Sequence, residues 1–249
     1  LDSTHRLVRL KSLQMATAIT RESYFWHKLH SLTGIIPVGF YMIQHLTLNS
    51  FTLAGPEKFN GVVRFFASLP PHVLYALLIF GVWGPLLFHA VYGLFISGRA
   101  MPNMSNAAYR WRENRMYTFQ RWSGMFVFAF LIYHVATTSV ASKVTGNHEM
   151  IEYAAWQHKL TEHGYIWLIV YMLGVLASCY HLSYGIWNFC IRWGITISEK
   201  SQVRMQKFAV MCFVGLTFRL HDGNGMPHVV EPVVNQIPAP RDQHVVSLE

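Results

Sequence analysis

Charge is scarce in this chain. Only 13% of the 249 residues are Asp, Glu, Lys or Arg, about half the usual globular share, whereas 52% are hydrophobic. That balance argues against a soluble globular protein. Cysteine is also sparse: Cys179, Cys190 and Cys212 include no C-x-x-C pair, which excludes a disulfide framework and a thiolate metal site. All three read as small buried hydrophobes. The chain has no Gly-rich phosphate loop, no carboxylate pair, no Glu-x-x-His motif and no nucleophile arrangement. Hydrolytic and phosphoryl-transfer chemistry therefore have no residues to run on. Residues 1–24 are basic and mixed, without the apolar core of a cleavable signal peptide.

What is abundant is long apolar sequence. Runs of about 18 or more such residues read as transmembrane helices, and five are placed at about 28–50, 71–98, 117–141, 163–191 and 203–220. The last is the weakest, being short and ending near Arg219. The net charge of +8 would raise nucleic acid as a partner if it formed a patch, but its placement explains it better. With the N-terminus inside, the outer segments hold only Lys58, Arg64, Lys143, Lys159, Arg219 and Arg241. The other Lys and Arg fall in the inner segments, as the positive-inside rule requires. The expectation is an N-in, C-out protein that binds no nucleic acid. Its parts are a basic cytoplasmic segment 1–24, a membrane domain 25–220 and an external tail 221–249. The tail carries Pro227, Pro232, Pro238 and Pro240 and reads as extended or disordered. The connections 51–70, 99–116 and 142–162 read as loops, with Pro70-Pro71 opening the second span.

Four histidines lie deep inside these apolar runs. Phe88-His89-Ala90-Val91-Tyr92-Gly93 recurs as Tyr180-His181-Leu182-Ser183-Tyr184-Gly185, and His45 and His134 occupy the first and third spans. A second, weaker duplication pairs Leu32-Thr33-Gly34 before His45 with Trp122-Ser123-Gly124 before His134. Histidine at membrane depth is costly and marks a functional site by default. Helix rise puts His45 and His134 roughly 20–28 Å from the inner surface, and His89 and His181 roughly 15–16 Å. The two levels are thus His45 with His134 outside and His89 with His181 inside, roughly 10 Å apart. A pair of neutral imidazoles on opposite sides of a flat macrocycle fits bis-histidine haem, so two haems b are expected. Gly93 and Gly185, four residues after their histidines, share their helical face and leave room beside the ligand. Ser31 and Arg192 stand near whole helical turns from His45 and His181 at the inner surface. They are propionate candidates, as are His30 and Arg121.

The stretch Tyr24 to Gly39 running on to Gln44-His45-Leu46 resembles one family, as do Phe88 to Gly93, Gln120-Arg121, His134 and Trp193-Gly194-Ile195-Thr196. That family is the di-haem cytochrome b membrane subunit of succinate dehydrogenase and fumarate reductase, in its five-helix, single-subunit, Bacillus-like form. The resemblance implies ligand pairs His45/His134 and His89/His181. It also implies a flavoprotein and an iron–sulfur subunit on the cytoplasmic face, menaquinone as the usual electron acceptor, and a bacterial cytoplasmic membrane. Where some fumarate reductases carry a membrane glutamate two residues before the fourth-helix histidine, this chain has Cys179, so that proton path is not carried over. For the quinone, Asn49, Ser50, His148 and Glu152 are outer candidates and His30 and Ser31 inner ones.

The expected fold is therefore an all-α integral membrane protein of five transmembrane helices, the first four forming a di-haem four-helix bundle. The expected role is the anchor and quinone-reactive subunit of a succinate:quinone oxidoreductase, with no dicarboxylate active site in this chain. Its rivals are a di-haem cytochrome b of another complex, such as a hydrogenase or formate dehydrogenase, and a haem-free transporter whose histidines relay protons.

Overall fold

Helix kinks and helix ends organise this protein. The computed structural model describes residues 24–99 and 112–218, and every regular element among them is helical. Helix α1 (24–35) runs into α2 (Pro37–Asn49) through Ile36, which keeps helical angles of φ −75° and ψ −63°. Proline removes one intrahelical donor, while the Ile36 N–H still reaches the Leu32 carbonyl at 2.9 Å. The pair is thus one rod broken only at Pro37. A short turn, Ser50–Ala54, leads to α3 (Pro56–Ala67), and Pro71 starts α4 (Pro71–Gly98).

Within α4, Leu77–Trp83 winds as a π-helix just before Gly84-Pro85. The wider turn accommodates a mid-helix proline, whose missing N–H and bulky ring disturb an α-helical ladder. Helix α5 (Glu113–Thr145) is α-helical to Val135 and then widens over Ala136–Val140. Helix α6 (Tyr153–Thr161) and α7 (Ile166–Arg192) are separated by His163, Gly164 and Tyr165, all at positive φ. That bend would be easiest for glycine alone, and it lets α6 fold back across the end of the bundle.

α7 is the central helix. It packs on both α5 and α8 (Glu199–Phe218) and buries Gly174, Cys179, Leu182, Ser183, Trp187 and Cys190. Its C-terminal end is closed by a Schellman arrangement: Gly194, at φ +70°, donates to Ile191, and the Ile195 N–H returns to the Cys190 carbonyl at 2.8 Å. The Trp193-Gly194-Ile195-Thr196 motif is thus a helix stop. Met116, Trp187 and Ala209 form a small core joining α5, α7 and α8, and the Trp187 indole N–H reaches the Gln202 carbonyl at 3.2 Å.

Three stretches are long and apolar enough to cross a membrane: Pro71–Gly98, Glu113–Thr145 and Tyr153–Arg192. Their outward faces carry large apolar side chains, Phe80 at 80% exposure being the extreme in α4, a surface that suits lipid and not water. The protein is a membrane protein with an all-helical fold. The connections expected as loops at 51–70 and 142–162 instead contain α3 and α6. α3 starts with Pro56 and Glu57 and ends near Arg64, which suits both helix termini. It also buries Phe59. Asn60 then caps the neighbouring helix, its Oδ1 accepting the Tyr153 N–H at 2.9 Å while its amide donates to Glu152 at 3.4 Å. Residues 1–23 of the expected N-terminal segment 1–24, residues 100–111 of the connection 99–116, the end of the fifth span and the whole tail 221–249 lie outside the described residues.

Candidate functional site

At the end of the protein where α1 begins, the inner end on the expected topology, His89 of α4 meets His181 of α7 with ring centroids 6.2 Å apart and planes crossed at 79°. Each ring leans on the backbone of a neighbouring helix. His89 Nδ1 lies 2.9 Å from the His30 carbonyl oxygen, and His181 Nδ1 lies 3.0 Å from that of Gln120. A carbonyl can only accept, so Nδ1 carries the proton in both rings and, in a neutral imidazole, Nε2 keeps its lone pair. This is the tautomer a metal requires, fixed by an outer partner.

The approach depends on two glycines. A Cβ at Gly34 would overlap His89 Cε1, and one at Gly124 would lie 2.7 Å from His181 Cε1. Each glycine stands four residues after the residue whose carbonyl accepts from that ring, on the same helical face. Gln120 completes a reciprocal clasp, its side-chain amide donating to the His181 carbonyl at 2.8 Å. Gly93 and Gly185 face the same two partners: a Cβ at Gly93 would lie 3.1 Å from His30 Cε1, and one at Gly185 3.5 Å from Gln120 Nε2. The seats at Gly34 and Gly124 went unrecognised in the sequence, although their duplication was its visible signal.

At the outer end, His45 of α2 and His134 of α5 have centroids 5.9 Å apart and planes crossed at 74°. Asn49 donates to the His45 carbonyl at 2.8 Å, and the Thr138 hydroxyl donates to the His134 carbonyl. Both bonds come from four residues along, one on each half of the duplication. His134 Nδ1 lies 3.4 Å from the Tyr171 hydroxyl, and Tyr41 stacks on His45. Ten residues of straight helix separate Gly124, under the inner pair, from His134. The levels are therefore roughly 15 Å apart along α5, wider than the span boundaries implied.

Above the inner pair, His30 stacks on His89 at 4.1 Å with planes 5° apart. Ser31 donates to the Lys28 carbonyl at 2.9 Å and accepts the Trp193 indole N–H at 3.0 Å, so it also ties α1 to the end of α7. Arg121 lies over the Tyr117 ring. Arg192 faces the same cluster. Several buried polar atoms here have no partner among the described residues: His27 Nδ1, His30 Nδ1, Gln120 Oε1 and Arg121 Nε. Buried polar atoms are ordinarily satisfied; Arg121 Nε and the imidazole nitrogens can donate to a ligand with acidic edges, whereas Gln120 Oε1 can only accept. Among the outer quinone candidates, Asn49 and Ser50 bond to their own helix and Glu152 to Asn60.

The arrangement suits haem better than a bare ion. Among the described residues no three His, Cys, Asp or Glu side chains converge as a metal site, so a metal there must bring ligands of its own. The paired imidazoles, with centroids 6.2 and 5.9 Å apart, could then supply the two protein ligands of a haem iron.

Residues 103–220 match the family model described as the succinate dehydrogenase/fumarate reductase transmembrane subunit. The succinate dehydrogenase cytochrome b558 subunit of Bacillus subtilis strain 168 is 36% identical over 198 residues, covering 80% of this chain and 93% of that protein.

Proposed function

This chain belongs to the succinate dehydrogenase/fumarate reductase transmembrane-subunit family, and we propose that it is the quinone-reactive, di-haem cytochrome b anchor of such a complex. The observation that supports this most directly is the pair of crossed histidine couples on two levels, with the inner rings fixed in the metal-binding tautomer. His45 with His134 would hold the outer haem, and His89 with His181 the inner one. Bound there, the haems supply one-electron carriers between an iron–sulfur partner and a quinone, which we take to be menaquinone.

The chain's own contribution is placement. Gly34 and Gly124 admit the inner rings, the His30 and Gln120 carbonyls orient them, and Ser31, His30, Arg121 and Arg192 gather at the inner edge to meet propionates. Gly93 and Gly185 keep the adjoining helices close to residues 30 and 120. With α1–α2 and α8 added to the three long apolar stretches the chain would have five spans, and its basic segments would favour an N-terminus in the cytoplasm of a bacterium. There the flavoprotein and iron–sulfur subunits would dock, beside the basic inner segments.

The test is a visible spectrum of the purified complex before and after succinate. Bis-histidine haem b bands from two haems, reduced by succinate, are the expected result. Absence of haem would point to the proton-relay transporter. Haem that succinate leaves oxidised, in a preparation lacking the flavoprotein, would point to another respiratory complex.

A further inference from the structure

Lys159 is the charged residue that the outer level does not explain. It belongs to α6, which the bend at His163–Tyr165 folds back over the ends of α5 and α7. Its ammonium donates to the Thr137 hydroxyl at 2.8 Å. It lies over three aromatic faces, at 5.3 Å from Tyr133, 5.3 Å from Trp156 and 5.5 Å from Tyr171. Nearby carboxylates are engaged elsewhere: Glu162 with His158 and Glu152 with Asn60. Among the described residues no carboxylate forms an ion pair with Lys159. A half-buried cation is costly without compensation, and ring faces with one hydroxyl supply only part of it.

The same rings surround His134. Tyr171 and Trp156 lie 5.7 and 6.2 Å from its ring, and the Tyr171 hydroxyl meets its Nδ1. One layer of aromatic side chains thus separates a fixed positive charge from an imidazole of the outer pair. We propose that Lys159 is a positioning residue for the outer haem, its caged ammonium raising that haem's midpoint potential.

The inference rests on the haem assignment above. Its physical content is simple. Oxidation of the iron adds one positive charge, and a fixed cation behind the ligand opposes it. The opposition is appreciable because aromatic rings, not bulk water, lie between the two charges. Among the described residues no carboxylate pairs with Lys159 to cancel the effect.

The experiment is potentiometric titration of the whole complex in membranes, comparing the parent with Lys159→Met and Lys159→Arg. In Lys159→Met the oxidised-to-reduced ratio of one haem, at fixed potential, rises about tenfold, a fall of about 59 mV in its midpoint. The other haem keeps its midpoint, and Lys159→Arg stays close to the parent. The haem that moves is the one missing from His45→Ala. Should the Met variant not load haem, Lys159→Gln, which keeps a polar end for Thr137 without the charge, carries the same comparison. Unmoved midpoints, equal movement of both haems, movement of the other haem, or an Arg variant behaving like Met would each overturn the proposal. A parent showing two haem midpoints with no response at Lys159 removes this inference alone. A parent without two haems removes the functional reading as well.

Discussion

Gly124 stands four residues beyond Gln120 on α5, and a methyl group there would lie 2.7 Å from His181 Cε1. No carbon pair rests at that distance, so the ring must retreat from the Gln120 carbonyl that orients it. Overpacking of this kind costs about 1–3 kcal/mol, and the cost falls on the inner pair alone. Gly124→Ala is therefore expected to lose the inner haem and keep the outer, lowering the haem-to-protein ratio by about half. Gly215→Ala, with nothing within 4 Å, is the matched control and keeps both. A haemochrome assay on purified protein decides, and equal ratios in the two variants would show that the glycine seat is not needed. The histidines were legible in the sequence because a polar ring in an apolar run stands out. The glycine seats were not, because the reason for each glycine is a ring carried by another helix. Lys159 was hidden similarly: 25 positions separate it from His134, and only the backbone bend after α6 brings them together.

At the scale of elements, the apolar runs announced the long helices, whereas α3 and α6 were read as loops. Short helices lying across the end of a bundle have mixed composition, and their order comes from docking, here through the Asn60 cap on Tyr153. The kinks show the same division. Pro37 and Pro85 are visible in the sequence, but whether a proline ends a helix or is absorbed depends on how its neighbours recover the lost bond. Ile36 stays helical at the first site, and a π-helical stretch precedes the second. The stop of α7 is more directly encoded. Gly194 sits at φ +70°, where a β-branched residue is strained by about 1–3 kcal/mol. Gly194→Val is expected to lower the apparent melting temperature of the detergent-solubilised protein. It should also loosen the Trp193–Ser31 tie between α7 and α1. Since Cys190 and Ile191 lie more than two turns past His181, the folded variant should still carry both haems. A melting temperature equal to the parent's would mean that the Schellman bonds do not hold this end.

The whole molecule places two histidine levels roughly 15 Å apart along α5, about half of a hydrocarbon core roughly 30 Å thick. Charge passing between them therefore moves across part of the membrane field. A unit charge crossing the full membrane gains or loses about 2.3 kcal/mol per 100 mV. Half the thickness gives about 1 kcal/mol, a bias of roughly fivefold. On the proposed topology, with the basic segments inside, the direction follows. An electron entering at the inner pair and leaving at the outer pair moves away from the cytoplasmic side, so an inside-negative potential drives it forward. Uptake of the quinone's protons from the outer side would add to the same bias. In proteoliposomes holding the complex with its succinate-binding face inside, quinone reduction by succinate should speed up when the interior is made negative. It should slow when the potential is reversed. Rates indifferent to both signs would place the quinone on the inner side, beside His30 and Ser31, and would leave the outer pair outside the route to it.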